Sequence, residues 1–426
     1  MSISRHHEAK QWLKNLPSGW RIVTVKQCAE ITYGFPADSE SFTTDPDYIP
    51  LIRIRDITSG NIQTYYSGTY PRESLINDED VLIGMDGDFN LRVWAGGQAL
   101  LNQRCCRVAG NTPEVTKFLS YTLPYALTEI HNLTLSTTVK HLLADGIEKA
   151  LLPLPDSTEE LRAIVSVLDA ETFKIDRAVD LLRQQLEVLE LIKKSLIYEA
   201  VTKGLDPSVL MKPSGVEWIG DIPQHWQIRR LKYVAELGSG TTPNSGNIDF
   251  YEPGEIPWIQ SGDLYRTDKV FKTEKLVTRK ALRDVPSLSL YRAPFVAVAM
   301  YGASIGNTAL SQIDACLNQA CCKVSPRDSH DCTFFFYAIR ASKDELLSKA
   351  QGGTQPNISQ IVIKNHPIPI PPAPEQHAIA AYLDEQYTRL AESITLKQKQ
   401  IELLQEQRKS FIFEYVTGKR RVSGVA

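Results

Sequence analysis

The chain has 426 residues, 42% of them hydrophobic, and 47 Lys and Arg stand against 50 Asp and Glu for a formal net charge of −3. That length is enough for two or three domains, and the near-neutral balance excludes a uniformly basic nucleic-acid binder. No run of about 18 apolar residues is present, so no membrane-spanning helix and no membrane partner are expected. The start, Met1–Lys10, is polar and lacks the apolar core of a secretion signal. Seven cysteines form no CxxC pair, so reduced thiols and a cytoplasmic location are expected.

In chain order, Arg21–Ala29 alternates and carries β-branched residues, which predicts a strand. Val81–Met85 is an apolar run of buried-strand length, and Val115–Glu129 has helical spacing. Ser157-Thr158-Glu159-Glu160 is a capping-box pattern that opens a helix. A ladder then alternates steps of four and three: Ile175, Val179, Leu182, Leu186, Leu189, Lys193, Leu196 and Ala200. That spacing places one apolar seam along one side of a helix. The stretch Gly204–Asp221 bears Pro and Gly and reads as a linker, but its Trp218 and Ile219 predict docking rather than free chain. Gln227–Leu237 again reads as a strand, Phe295–Met300 as a buried strand and Thr333–Lys349 as helix. A second ladder closes the chain: Leu390, Ile394, Lys397, Ile401, Leu404, Arg408, Phe411 and Tyr415.

Each rung of the second ladder lies 215 residues after its counterpart, and the likeness extends over the whole chain. Leu16-Pro17-Ser18-Gly19-Trp20 recurs as Ile222-Pro223-Gln224-His225-Trp226, and Gly34 as Gly240. Ile49-Pro50-Leu51-Ile52 recurs as Ile256-Pro257-Trp258-Ile259. Asn102-Gln103-Arg104-Cys105-Cys106 recurs as Asn318-Gln319-Ala320-Cys321-Cys322. So many matches in one order indicate a tandem duplication of a unit of about 210 residues, a whole domain with an attached rod rather than a solenoid repeat. The expected fold is α+β: two similar globular domains, each followed by a long helix, the helices packed as an antiparallel coiled coil with pseudo-two-fold symmetry. The expected boundaries are 1–155 for the first domain, 156–204 for its helix, 205–370 for linker plus second domain, and 371–426 for the second helix. Antiparallel pairing would keep the equivalent seam cations Lys193 and Arg408 apart.

No phosphate loop, HExxH, GxSxG or NPPY-type adenine-methylase motif occurs, so no catalytic residue is assigned. No metal site is assigned either. His6-His7 reads as a solvated terminus. Adjacent cysteines on a strand face opposite sides, so Cys105-Cys106 and Cys321-Cys322 read as small buried residues.

The stretch Ser214–Trp226, the run Gly352–Ser359, the two diverged domains and the two rods together resemble the specificity subunit of type I restriction-modification systems. The first half departs from the pattern, with Gly34-Phe35-Pro36 where the second has Gly240-Thr241-Thr242-Pro243. The resemblance implies two target recognition domains on a non-catalytic chain, each reading half of a split, asymmetric site in double-stranded DNA. It implies that the helices set the spacing and dock two methyltransferase subunits, and that restriction and translocation subunits join them. S-adenosylmethionine, ATP and Mg would act through those other subunits, with no cofactor on this chain. The competing reading is a tandem-domain scaffold that binds protein.

DNA recognition calls for cations and polar side chains on loops. In the first domain Arg53, Arg55 and Arg92 are the candidates, Arg53 and Arg55 being expected on one face of a strand. In the second domain the candidates are Thr241, Thr242, Asn244, Gln260, Lys269, Lys272, Arg292, Tyr301, Ser304, Gln355 and Asn357. Lys269 and Lys272 head a basic run that continues through Lys275, Arg279, Lys280 and Arg283. The glycine-bearing loops Tyr301–Asn307 and Gly352–Gln355 allow close backbone approach. A near-neutral chain releases few counterions on binding, so tight DNA binding is expected to need the partner subunits.

Overall fold

The structure, a computed structural model, describes residues 11–133, 142, 144–302, 304–327, 329–352 and 356–422. It divides into two compact units, Met1–Leu182 with Lys399–Ala426, and Arg183–Gln398. Each unit therefore contains one globular domain and portions of both long helices.

In the first unit, Ala29–Tyr33, Cys105–Gly110, Val81–Gly84 and Leu91–Val93 form a four-stranded antiparallel sheet. Helix α1 (Pro113–Leu133) lays Phe118, Leu119 and Leu123 on that sheet, all of them buried. A second sheet places Ile49–Ile52 parallel to Ala99–Leu101. The domain is closed by Trp20–Thr24 pairing with Leu151–Pro155, and Pro155 leads directly to helix α2 (Thr158–Lys203). The Ser157 hydroxyl caps α2 by accepting from the Glu160 amide at 3.2 Å.

The second unit repeats this plan. Ala235–Ser239, Cys321–Pro326, Phe295–Ala299 and Thr308–Ser311 are adjacent in its sheet, which Lys269–Val270 extends at the edge. Helix α3 (Cys332–Ala341) buries Phe334, Phe335 and Phe336. Ile256–Ile259 runs parallel to Cys316–Leu317, and Gln227–Arg230 pairs with Pro367–Ile370 just before helix α4 (Ala373–Val416). The linker is docked, as its aromatic and branched residues predict: Ile219 is 1% exposed, and Trp218 stacks on His366 at 5.5 Å.

Two local expectations are corrected. Neither Arg21–Ala29 nor Gln227–Leu237 is one strand; each is interrupted by a single helical turn, Val25–Cys28 and Leu231–Val234. In the first copy the Gln27 side chain accepts from the Thr24 amide at 2.8 Å, a local capping bond that outweighs β propensity. The helix expected over Thr333–Lys349 breaks at Ser342 into Cys332–Ala341 and Lys343–Ser348, the Ser342 hydroxyl donating back to the Ile339 carbonyl at 2.8 Å.

The ladder positions are buried or half-buried along both long helices, while Asp176, Arg177, Gln184, Glu187, Glu402 and Glu406 between them are exposed. Within the first unit, Arg408 donates to Asp176 at 3.2 Å and Arg421 to Glu160 at 3.1 Å. Within the second, Lys397 donates to Gln185 at 2.6 Å, and Lys193 sits 4.0 Å over the Tyr387 ring. In each unit the residue numbers rise on one helix as they fall on the other, so the two segments run antiparallel. Lys193 and Arg408 each find a partner of their own, as the antiparallel arrangement requires. Ile164 and Leu168 of α2 join Ile412 and Val416 of α4 in the first core; Ile197 and Val201 join Ile379 and Leu383 in the second. Each fully buried aliphatic side chain of this kind contributes roughly 1.5–3 kcal/mol.

Candidate nucleic-acid interface

In each domain the loops after the paired parallel strands gather around one asparagine. In the first, the Asn102 amide donates to the Ile52 carbonyl at 3.0 Å, and its side-chain oxygen accepts from the Arg104 amide at 3.4 Å. In the second, the Asn318 amide donates to Ile259 at 2.9 Å and its side chain accepts from Ala320 at 3.1 Å. The Gly34 amide reaches the Cys105 carbonyl at 2.9 Å, and the Gly240 amide reaches that of Cys321 at 3.1 Å. A Cβ on Gly34 would lie 2.1 Å from the Asn102 carbonyl oxygen, and one on Gly240 would lie 1.9 Å from that of Asn318. Glycine is therefore dictated by close backbone approach at both places. Met85 and Met300 donate to the carbonyls of Arg104 and Ala320 at 2.9 and 2.7 Å, and accept from the amides of Leu142 and Ile358 at 2.7 Å each. A carboxylate caps the next turn in both copies: Asp56 accepts from the Arg53 amide at 2.9 Å, Asp263 from that of Gln260 at 2.8 Å.

The backbone frame is thus duplicated hydrogen bond by hydrogen bond, while the side chains mounted on it differ. Arg53 stands where the second copy has Gln260, Phe35 where it has Thr241, Asp86 where it has Tyr301, and Arg104 where it has Ala320. Arg104 lies 3.5 Å from Asp86, and the Tyr301 hydroxyl donates to the Gln319 carbonyl.

The sequence candidates fall into three groups. Arg53, Gln260, Thr241 and Tyr301 stand on this frame, with Asn357 bridged to Tyr301 and Gln351. Thr242 and Asn244 are exposed on the adjoining loop, where the Asn244 side chain accepts from the Gly246 amide at 3.0 Å. Ser304 is half-buried in its tight turn, its carbonyl accepting from the Asn307 amide at 2.9 Å.

A second group is occupied elsewhere. Arg55 does not share a strand face with Arg53, because the strand ends at Ile52; Arg53 stays on the frame at the N-cap position, whereas Arg55 lies within the helix Ile54–Ser59 and donates to Thr64 at 2.8 Å. Arg92 donates to the carbonyls of Ile57 and Thr58 at 2.6 and 3.2 Å, closing the last turn of that helix. Lys269 faces helix α4, 2.9 Å from Asp384. The basic run is largely neutralised by its neighbours, with Arg279 on Glu255, Lys280 on Asp249 and Arg283 on Asp284. The third group is Lys272 and Arg292, which are exposed. Gln355 and His6-His7 lie outside the described residues.

Sequence reasoning overlooked Asn102 and Asn318 as organisers, although the recurring Asn-Gln-x-Cys-Cys motif held the signal. The cysteines behind it are buried, and burial pushes the thiols of Cys105 and Cys322 up to about 12, so they are inert packing groups.

Known proteins carry the same duplication. The type I restriction modification DNA specificity domain matches residues 17–191 and again 223–404. The type I restriction enzyme EcoBI specificity subunit of Escherichia coli is 30% identical over 399 residues, spanning 90% of this chain and 82% of that protein. The type I restriction enzyme MjaVIII specificity subunit of Methanocaldococcus jannaschii is 24% identical over 426 residues, spanning 96% and 95%. A solved chain from work on complex assembly and conformational transition of the type I R-M system shares the fold, with TM-score 0.70 over 95% of this chain and 100% of its own at 19% identity. The frame duplicated in both units and these matches along nearly the whole length lead to one conclusion: the chain belongs to the type I restriction-modification DNA specificity family.

Proposed function

We propose that this chain is the non-catalytic DNA-reading subunit of a type I restriction-modification complex, each globular domain reading one half of a bipartite, asymmetric site. One observation carries the reading: the same backbone frame appears twice with different side chains mounted on it. Two readers of unrelated half-sites require that combination, because the frame sets the approach to the groove while side-chain identity selects the base. A protein-binding scaffold has no need to hold the frame fixed while changing the side chains mounted on it.

The test is methylation-site mapping in cells carrying variants of the full chain. Gln260→Ala is expected to relax one base position in one half-site and leave the other half unchanged. Arg104→Ala is expected to do the reverse. Loss of a bidentate base contact corresponds to about 1–3 kcal/mol, or roughly five-fold to over a hundred-fold in discrimination. Relaxation of both halves by either variant would remove the assignment of one domain to one half.

The partners implied are two methyltransferase subunits, with restriction and translocation subunits beyond them. An exposed stripe distinct from the seam supports the pair: Leu181 and Val188 on α2 are 45% and 53% exposed, and their equivalents Leu396 and Leu403 on α4 are 64% and 54% exposed. Apolar side chains exposed in matched pairs suit two copies of one partner. Leu181→Asp or Leu396→Asp alone is expected to lower the mass of the purified complex by one methyltransferase, read by light scattering. A mass unchanged by both would move the docking surface elsewhere.

A further inference from the structure

Each globular domain is tied to its own long helix near the helix start and again further along it, and these two ties are spaced alike. Near the start of α2 the Trp20 indole donates to Glu160 at 3.3 Å; near the start of α4 the Trp226 indole donates to Glu375 at 2.8 Å. Nine residues further along each helix comes a second tie. In the second unit the Asp384 carboxylate accepts from the Tyr337 hydroxyl of α3 at 2.7 Å and from Lys269 at 2.9 Å. In the first, Asp169 accepts from the Tyr121 hydroxyl of α1, with Lys117 at 3.7 Å.

Tyr and Asp are shared by descent from the duplication, but the cation is not. Lys117 belongs to the domain's helix, one turn before Tyr121, whereas Lys269 comes from the edge strand, and Thr333 occupies the place equivalent to Lys117. The two copies have drifted in sequence and still supply a cation to the same carboxylate from different elements. Buried side chains fill the space between the ties, Ile164 and Leu168 on α2 and Ile379 and Leu383 on α4, but at the second tie the packing opens. A groove of about 840 Å³ opens beside Asp384, lined by Lys269, Phe271, Tyr337 and Tyr387, and one of about 560 Å³ opens beside Tyr121.

We propose that Asp169 and Asp384, through Tyr121 and Tyr337, are specificity-determining positioning residues that fix the length of the unread gap between the half-sites. Ties about 14 Å apart along a helix, at 1.5 Å per residue, hold the domain's angle to the rod together with the core between them, and loss of the further one lets that angle vary. A gap one pair too long or too short moves the half-site by roughly 3.4 Å along the DNA axis and turns it by about 35°, so a domain held at a fixed angle to the rod rejects it and a domain free to tilt and turn follows it. This rests on the bipartite reading above.

The experiment measures methylation by the full complex on duplexes carrying the native half-sites with the native gap or with one base pair added or removed. Tyr337→Phe and Lys269→Gln are compared with the unaltered chain, with melting temperature recorded for each. The expected result is a rise of ten-fold or more in methylation of the altered-gap duplexes relative to the native gap, with half-site bases unchanged. A general loss of stability would lower methylation of all duplexes together. If both variants keep strict gap discrimination, the inference is overturned while the bipartite reading stands. If the unaltered complex methylates a continuous motif with no gap, the bipartite reading fails and the inference falls with it.

Discussion

Asn102 and Asn318 show how much of the recognition frame rests on single residues. Each joins two loops through its own amide and side chain, and each sits so close to a glycine that any side chain there would collide with the asparagine carbonyl. His366 is another residue whose surroundings decide its behaviour. It is 1% exposed and stacked on Trp218; burial and Lys349 hold its imidazole well below the usual range, at about 3. The unfolded chain takes up that proton near 6.5. Stability associated with neutral His366 is therefore complete above pH 6.5 and is lost as pH falls toward 3. Melting temperature is expected to drop between pH 7 and pH 5 by less in His366→Leu than in the unaltered chain. Equal drops would mean that other groups set the acid limit.

The long helices are the elements whose pattern and structure agree best. A four-three ladder over this many turns has one favoured solution, in which the seam is covered, and the half-buried ladder positions between exposed charged residues show that solution. Element boundaries were legible wherever a capping residue or periodicity marked them, as at Ser157. They were misread where a hydrogen bond between neighbouring residues decided the outcome, as at Thr24 with Gln27, because a run of alternating residues does not reveal a single interposed turn. Four residues inserted into both long helices, a stutter that the seam takes up by local unwinding, add about 6 Å of rod. The mapped methylation motif is expected to keep both half-sites and change only its gap. An unchanged gap would remove the spacing role from these helices.

For the molecule as a whole, the net charge of −3 and the local neutralisation of the basic run Lys269–Arg283 have one consequence. Affinity for duplex DNA has a salt slope proportional to the number of phosphates neutralised, about −0.9 for each. The chain alone is expected to show a shallow slope and weak binding, and the complex with its methyltransferase partners a steep slope and tight binding, in titrations between 50 and 200 mM salt. A steep slope for the chain alone would place the missing cations on this chain. Among the described residues, no helix is long and apolar enough to cross a membrane.

The duplication, the two rods and their seams were legible along the linear chain, because repetition and period are linear properties. The sequence also disclosed the family, through motifs that survive divergence. It did not determine which polar residues stand on the recognition frame. Arg92, Lys269, Arg279 and Lys280 look free in a linear reading, yet folding brings each beside a carbonyl or carboxylate from another segment. Only the tertiary structure could set Asp384 against both Tyr337 and Lys269, since those three residues are separated by up to 115 positions and meet only when strand, helix and rod pack together.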